Sequence, residues 1–298
     1  MTSSAQPGAI TPEEAPLVAR LRASHFPCGT ESYGMPLDDA VLVRYLRARD
    51  GNIEKAAAML TATLEWRRDF GLPEMLSKEM DVMRKENATG KMYLSGRDKQ
   101  GRPLLVMRPR CENTVDHNGN IKHLVYQLER ARAILQKGSG GLGKVCVVID
   151  YVGFTVRNSP AMKTSMATLN ILQNHYPETL GQAFFVSPPF VFKGFWKVIY
   201  PFIDKDTKEK FVFVSGNAKS AAAQAILSKN FDMDELEEAF GGQYTTKFDS
   251  AVYLGAPIDQ DFREALAGSS GQETRTDAAA TDAMPIALTT TTATATAA

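Results

Sequence analysis

NHYPETLGQAFFVSPPFVFKGFWKVIYPFIDKDTKEKFVFV, Asn174 to Val214, is the stretch on which the fold turns. Two short apolar runs within it, QAFFV and KFVFVS, read as strands. Between them the segment from Pro188 reads as a helix. From Phe184 to Phe202 eight of nineteen residues are aromatic, and the only charges are Lys193 and Lys197. That segment has the length of a membrane span but fails as one. Each lysine costs about 2.5–3.5 kcal/mol near a bilayer centre, and Pro188, Pro189 and Pro201 interrupt it. At 100° per residue Val191, Phe192, Phe195, Trp196, Val198 and Ile199 cover one broad arc. Lys193 and Lys197 share the opposite side, with Phe190 and Tyr200 beside them. One apolar face is satisfied by packing on a sheet. Large aromatics bordering lysines on the outer face suit a helix that meets lipid headgroups part of the time.

Outward from this stretch, the first ninety residues read as helical. TPEEAPLVARLRASH opens with Thr11 as cap and acids in the first turn. LDDAVLVRYLRARDG reads as a short helix ending at Gly51. NIEKAAAMLTATLEWRRDFG is capped by Asn52 and closed by Gly71. KMYLSG and PLLVMRP then read as strands across a turn at RDKQGR. IKHLVYQLERARAILQKG is a helix with Ile121, Leu124, Val125, Leu128 and Leu135 on one side. KVCVVIDY has the continuous apolar character of a strand buried on both faces. Ser159 and Pro160 open a further helix that ends near HYP, and SAAAQAILSKNF is the last clear helix. Strands alternating with helices imply an α/β fold with a mostly parallel sheet. From about Gly268 the sequence is low in complexity and reads as disordered.

With 44% hydrophobic and 23% charged residues the 298-residue chain has globular composition. Lys+Arg and Asp+Glu balance at 34 each, so no global charge points to nucleic acid. Cys28, Cys111 and Cys146 are scattered, which speaks against a disulfide framework or a cysteine-rich zinc site. The opening MTSSAQPGAI lacks a basic region followed by an apolar core, so no secretory signal is expected. His25, His117, His123 and His175 lack metal-ligand spacing and read as surface or capping residues. The Met162/Met166 pair reads as core packing. GSGGLGKV, Gly138 to Val145, fits G-x-G-x-x-G and nearly fits G-x-x-x-x-G-K-[ST]. A phosphate loop, however, leaves a strand and enters a helix. Here the helix comes first and the strand second, so the loop reads as a flexible connection. Lys144 binding a nucleotide is not expected.

The helix AVLVRYLRAR places Val41, Leu42, Tyr45 and Leu46 on one face and Arg44 and Arg47 roughly opposite, as solvated residues. Arg49 falls seven residues after Leu42, within about 20° of it, on the apolar side. Either the helix frays there and Arg49 complements its C-terminal dipole, or a partly buried guanidinium requires a carboxylate or phosphate partner.

LVRYLRARDGNIEKAAAMLTATLEWRRDFG, RDKQGRPLLV, VVIDYVGFT, the opening stretch and FGG come in the order that resembles the CRAL-TRIO family, its Sec14-like phosphatidylinositol transfer branch above all. The likeness covers about Leu37 to Gly242, and the Y-P-E…F…P…K-x-F block is its most specific part. The resemblance implies a helical N-terminal lobe and an α/β lobe whose sheet floors an apolar pocket. It assigns Pro188 to Phe202 as the gate over that pocket: Phe190, Phe192, Lys193, Phe195, Trp196, Lys197 and Ile199. The headgroup set it implies is Arg49, Glu178, Thr207 and Lys210, where cations and a hydroxyl hold a phosphate and a carboxylate accepts inositol hydroxyls or fixes a cation. Thr155 keeps a hydroxyl expected at a second-lipid site, but Arg157 replaces a small residue. Leu94 and Leu105 stand where members that exchange phosphatidylcholine tend to carry tyrosines. A choline headgroup prefers aromatic faces, so the second lipid is expected to be more apolar.

The organisation implied is an N-terminal extension with a short helix (1–36), a helical lobe (37–90), a lipid-binding domain (91–244), a C-terminal extension (245–267) and a disordered tail (268–298). The expected function is non-enzymatic binding and exchange of phosphatidylinositol, without a cofactor or metal. The protein is expected to be a cytoplasmic monomer making transient peripheral contact with membranes. The alternatives are a carrier of a sterol-, tocopherol- or retinoid-like ligand, or a membrane-docking adaptor without transfer activity.

Overall fold

The computed structural model describes residues 9–155, 157 and 161–269. The N-terminal part is helical, as expected: α1 (Glu14–His25), α2 (Asp39–Arg47), α3 (Ile53–Asp69), α4 (Leu72–Lys78) and α5 (Met80–Asn87). Thr11 does cap α1. Its hydroxyl accepts from the Glu14 amide at 3.3 Å while the Glu14 carboxylate accepts from the Thr11 amide at 2.9 Å, a reciprocal capping box. Asn52 caps α3 through the Lys55 amide. Gly71, at φ 65°, turns the chain from α3 into α4. Leu21, Leu42, Val43, Leu46 and Leu60 form the core of these helices.

The second part is a five-stranded sheet in the order β1 (Met92–Arg97), β2 (Pro103–Met107), β3 (Val145–Asp150), β4 (Leu180–Val186), β5 (Phe211–Val214). The β1–β2 pair is antiparallel and the other three pairs are parallel. The connections are α6 (His117–Ser139), α7 (Met162–His175) and the pair α8 (Phe192–Ile199) and α9 (Lys205–Glu209). The helix α10 (Ala221–Asn230) follows β5. Ser159 and Pro160, expected to open α7, lie outside the described residues. The aromatic helix α8 begins at Phe192, later than Pro188: Pro188 and Pro189 lie outside any helix and Phe190 and Val191 form a turn.

β3 is not buried on both faces. Cys146 and Val148 are fully buried, whereas Val147 and Ile149 are only half-buried. The register carries this asymmetry across the sheet: Val147 lies opposite Ala183, Ile149 opposite Phe185, and these lie opposite Phe211 and Phe213. One face is thus core and the other only partly covered. A continuous apolar run cannot distinguish these cases, because both need apolar residues at every position.

Past α10 the sequence holds no further clear helix signal, yet α11 (Ser250–Gly255) and a helix over 262–269 pack onto the domain. Tyr253 and Phe262 are buried with Phe248 against Tyr93. Tyr253 Oη accepts from the Leu94 amide and donates to Gln127 Oε1 at 2.6 Å. Arg130 lies 4.0 Å over its ring and donates to the Pro257 and Gln260 carbonyls. Two histidines are also more interior than expected. His123 is buried on α6 between Asn87 and Gln127, and burial pushes it down to about 3. His175 stacks on Trp66 at 4.3 Å, with burial lowering it to about 4.

The helical lobe is locked to the sheet domain by Arg67 of α3 and Glu129 of α6, each 1% exposed. The pair is bidentate at 2.8 and 3.1 Å, with Tyr176 Oη and Arg132 also donating to the carboxylate. Burial alone would raise the Glu129 carboxyl, but Arg132 and Arg67 overcome it and hold it well below its ordinary value of 4.5. Since the folded value lies below the unfolded one, this stabilisation is complete above about pH 4.5 and is lost as pH falls through the folded value. Glu129→Gln is expected to cost about 3–5 kcal/mol at neutral pH and to flatten the acid limb of a stability–pH curve. A variant whose urea midpoint falls as steeply with acid as that of the native chain contradicts this assignment.

Candidate functional site

The partly covered face of the sheet lies beneath α8. Phe192 and Trp196 sit 5.6 and 5.5 Å from Phe185 between ring centroids, and Trp196 is 5.3 Å from both Phe211 and Phe213. Tyr151, at the end of β3, closes the cluster 5.0 Å from Phe192. In this conformation the protein's own rings fill the space under the helix. Phe192 and Ile199 are buried as expected. Val191 and Val198, assigned to the same arc, are about half exposed. So short a helix rests on Phe192, Trp196 and Ile199, and its apolar footing is narrower than the arc. The side chain of Phe195 lies outside what the structure describes.

The outer side of α8 and its flanks is apolar and cationic together. Phe190 is 82% exposed, and Tyr200 and Phe202 are also exposed. Lys193 Nζ lies 5.1 Å over the Phe190 ring and Lys208 Nζ 4.3 Å over Tyr200; Lys197 is exposed beside them. The segment is tied at its end by Gln173 Nε2 donating to the Phe202 carbonyl at 2.7 Å. At its start Ser187 has φ 53° and donates to the Gly216 carbonyl. Met162, expected in the core, is 45% exposed at the start of α7. Packing there is decided by what covers the helix, which an i,i+4 spacing does not reveal.

The polar residues converge elsewhere, at the opposite end of β4. Glu178 has φ 55°, and its carboxylate accepts from Lys144 Nζ at 2.8 Å. Burial would raise this carboxyl; the hydrogen bond and charge of Lys144, with the charges of Lys210 and Arg44, bring it below its ordinary range. Lys210, the C-cap of α9, is therefore close enough for its charge to act on Glu178. Its ammonium makes no hydrogen bond or ion pair among the described residues. Thr207 belongs to the same turn: its amide donates to Asp204, the N-cap, and its carbonyl accepts from the Lys210 amide. Thr207 and Lys210 thus share one turn, and the charge of Lys210 reaches Glu178.

Among the described residues Arg49 makes no hydrogen bond to Glu178, Thr207 or Lys210. Helix α2 ends at Arg47 and the Arg49 amide bonds back to Leu46, so the helical phase that put Arg49 beside Leu42 does not apply. Its guanidinium donates to the Ala48 carbonyl at 2.7 Å. It lines an open groove of about 520 Å³ with Lys55, Met59, Ala62, Asn174 and His175. Thr155 is exposed in the loop after β3. Leu94 and Leu105 pack with Ala131, Ile134 and Leu135 of α6.

The sequence reading missed Arg44. It was assigned to solvent, yet its Nε donates to the Gly141 carbonyl at 3.0 Å and its Nη1 to the Glu178 carbonyl at 2.6 Å; Nη2 donates to Gly141 and Gly143. Arg47, also assigned to solvent, pairs with Glu14 at 2.7 Å. The signal was in the helix itself. Ala40, Val41, Leu42, Val43, Tyr45 and Leu46 are all buried, and a helix apolar nearly all round is enclosed, its few polar residues with it. The glycine loop runs from helix to strand as expected, but it is clamped rather than loose. It turns carbonyls toward a cation where a phosphate loop would turn amides toward an anion. Among the described residues no helix is long and apolar enough to cross a membrane, and no group of three His, Cys, Asp or Glu could hold a metal ion.

Residues 87–242 match the model of the CRAL/TRIO domain and residues 24–62 that of the CRAL/TRIO N-terminal domain. A CRAL-TRIO domain-containing protein of Schizosaccharomyces pombe is 35% identical over 212 residues, 71% of this chain and 19% of that one. The phosphatidylinositol transfer protein PDR17 of Saccharomyces cerevisiae is 29% identical over 242 residues, 76% of this chain and 65% of that one. The Sec14 cytosolic factor of Schizosaccharomyces pombe is 29% identical over 214 residues, 66% of this chain and 74% of that one. The crystal structure of Sfh5 superposes with a TM-score of 0.58 at 18% identity, over 87% of this chain and 93% of that one, which speaks for the fold.

Arg44→Met is expected to destabilise the chain by about 2–3 kcal/mol, the scale of charged hydrogen bonds lost from a partly buried site. The urea midpoint should fall at unchanged slope. A midpoint equal to that of the native chain contradicts the clamp.

Proposed function

The chain belongs to the CRAL-TRIO family, and we propose that it is a non-enzymatic lipid transfer protein that takes up phosphatidylinositol and releases or presents it at another membrane. The observation that carries this reading is the seat of α8: an aromatic helix lying on a half-covered apolar sheet face, with aromatic and cationic side chains turned outward. In this reading α8 is the gate, and its opening parts the rings of Phe185, Phe192, Trp196, Phe211 and Phe213 to admit acyl chains. Burial of those chains stabilises by about 0.8 kcal/mol per CH₂, while Lys193 and Lys197 favour anionic surfaces by about 1 kcal/mol each. No bond is broken; the protein lowers the barrier to desorption. Glu178, Thr207 and Lys210 receive the inositol phosphate headgroup, with Arg49 approaching from the helical lobe. The protein works from the cytosol with transient membrane contact.

The second ligand is proposed to be more apolar than phosphatidylcholine, an idea supported by Leu94 and Leu105 in the α6–sheet contact.

Mass spectrometry of lipids extracted from the purified chain tests the main reading. Phosphatidylinositol is expected in the native sample and selectively lost from Glu178→Ala/Lys210→Ala. A different apolar ligand retained equally in both sinks it. The gate is tested separately through Trp196 in a Trp66→Phe background. Vesicles containing phosphatidylinositol should shift Trp196 emission, and Phe190→Asp should weaken that response several-fold. A spectrum indifferent to vesicles removes α8 from the mechanism.

A further inference from the structure

The glycine loop that the sequence singled out ends in a lysine, and the structure gives that lysine a partner. Lys144 and Glu178 come from separate elements, yet one guanidinium fixes both. Arg44 grips the carbonyl of Gly143, the residue before Lys144, and the carbonyl of Glu178 itself. Glu178 is held in the left-handed region, at φ 55°, a conformation a non-glycine residue keeps only when its surroundings impose it. The ion pair is therefore preorganised at its roots, while its charged ends reach solvent, with side-chain exposures of 35% and 27%. Lys210 stands near with an ammonium that no described residue pairs, its charge also felt by Asp204. Lys144, Lys210 and Arg44 thus act on Glu178, and Lys210 also on Asp204. Arg44 is committed to carbonyls, so the two lysines are the cations able to rearrange.

We infer that Lys144 is a headgroup-selecting residue: a phosphodiester carrying a polyol displaces the Glu178 carboxylate from Lys144, the phosphate is shared by Lys144 and Lys210, and Glu178 turns to accept the polyol hydroxyls. This rests on the phosphatidylinositol reading and adds to it a residue that the family resemblance does not supply. The Lys144–Glu178 pair is the resting state of the site. It keeps both side chains in place while no headgroup is bound.

A mutant cycle separates selection from simple charge balance. Uptake of phosphatidylinositol from phosphatidylcholine vesicles is measured for the native chain, Glu178→Gln, Lys144→Gln and the double variant, with the folded fraction checked by thermal melting. If Lys144 binds the headgroup, adding Lys144→Gln to Glu178→Gln lowers uptake further, by about tenfold for one lost charged contact, and Lys144→Arg largely restores it. If Lys144 merely neutralises Glu178, the double variant takes up as much as Glu178→Gln, which overturns the inference and leaves the transfer reading intact. Native chain that takes up no phosphatidylinositol overturns both. Competition with soluble glycerophosphoinositol and with inorganic phosphate distinguishes the sources. Lys144-dependent displacement by the former alone supports a headgroup site, whereas equal displacement by both reduces it to a general phosphate site and rejects selection.

Discussion

A guanidinium presents five N–H donors in a fixed plane, and the packing of the two lobes depends on where Arg44 aims them. It reaches carbonyls of the glycine loop and of Glu178, nearly a hundred or more residues away in the sequence. Those carbonyls belong to the entries of β3 and β4, so the grip sets where two central strands begin relative to α2. Arg67 and Glu129 make a second tie, but theirs joins helix to helix and leaves the strands alone. Arg44 adds to the turn bonds of the glycine loop the contact that joins it to the Glu178 backbone. The polar cluster is thus a product of lobe packing as much as of its own residues.

The sheet face beneath α8 illustrates the opposite principle, non-directional and reversible. Its rings satisfy one another in stacked, tilted and edge-on pairs, each worth about 0.5–1.5 kcal/mol beyond simple burial. None of those pairs depends on a unique geometry. In the proposed function acyl chains replace ring contacts with other apolar contacts, so the exchange is nearly balanced in free energy. Such balance suits a carrier, which must release as readily as it loads.

The fold was largely legible. Helical spacing before Gly90, the turn at RDKQGR and the strand–helix–strand order around Phe184 to Phe202 each follow from local rules, and each element formed. What failed depended on enclosure. Arg44 was assigned to solvent because a single helix shows its phase but not what lies beyond its polar side. Val147 and Ile149 were assigned to a doubly buried strand because apolar identity does not report coverage. Arg49 was left between a frayed helix end and a buried guanidinium, and α2 ending at Arg47 favours the frayed end. Tyr253 and Phe262 lie in short elements whose order comes from the Tyr93 and Arg130 partners they meet, far away in the sequence. Of the candidate site, Glu178, Thr207 and Lys210 were legible together only through the family likeness, since each alone resembles an ordinary cap or surface charge.

β4 carries a left-handed residue just outside each end, Glu178 before it and Ser187 after it. Thr179 and the seven residues of β4 separate them, nine steps or about 30 Å at 3.3 Å per residue. One end roots the polar cluster and the other roots the aromatic segment, so the strand works as a caliper with jaws of opposite character. Its span is set by backbone geometry and not by side chains. Substitutions can retune either jaw, but only insertion or deletion within the strand changes the gap. Because side chains alternate in direction, a change of one residue would also turn Phe185 to the wrong face. The molecule can therefore alter what it grips at either end far more readily than the length it measures.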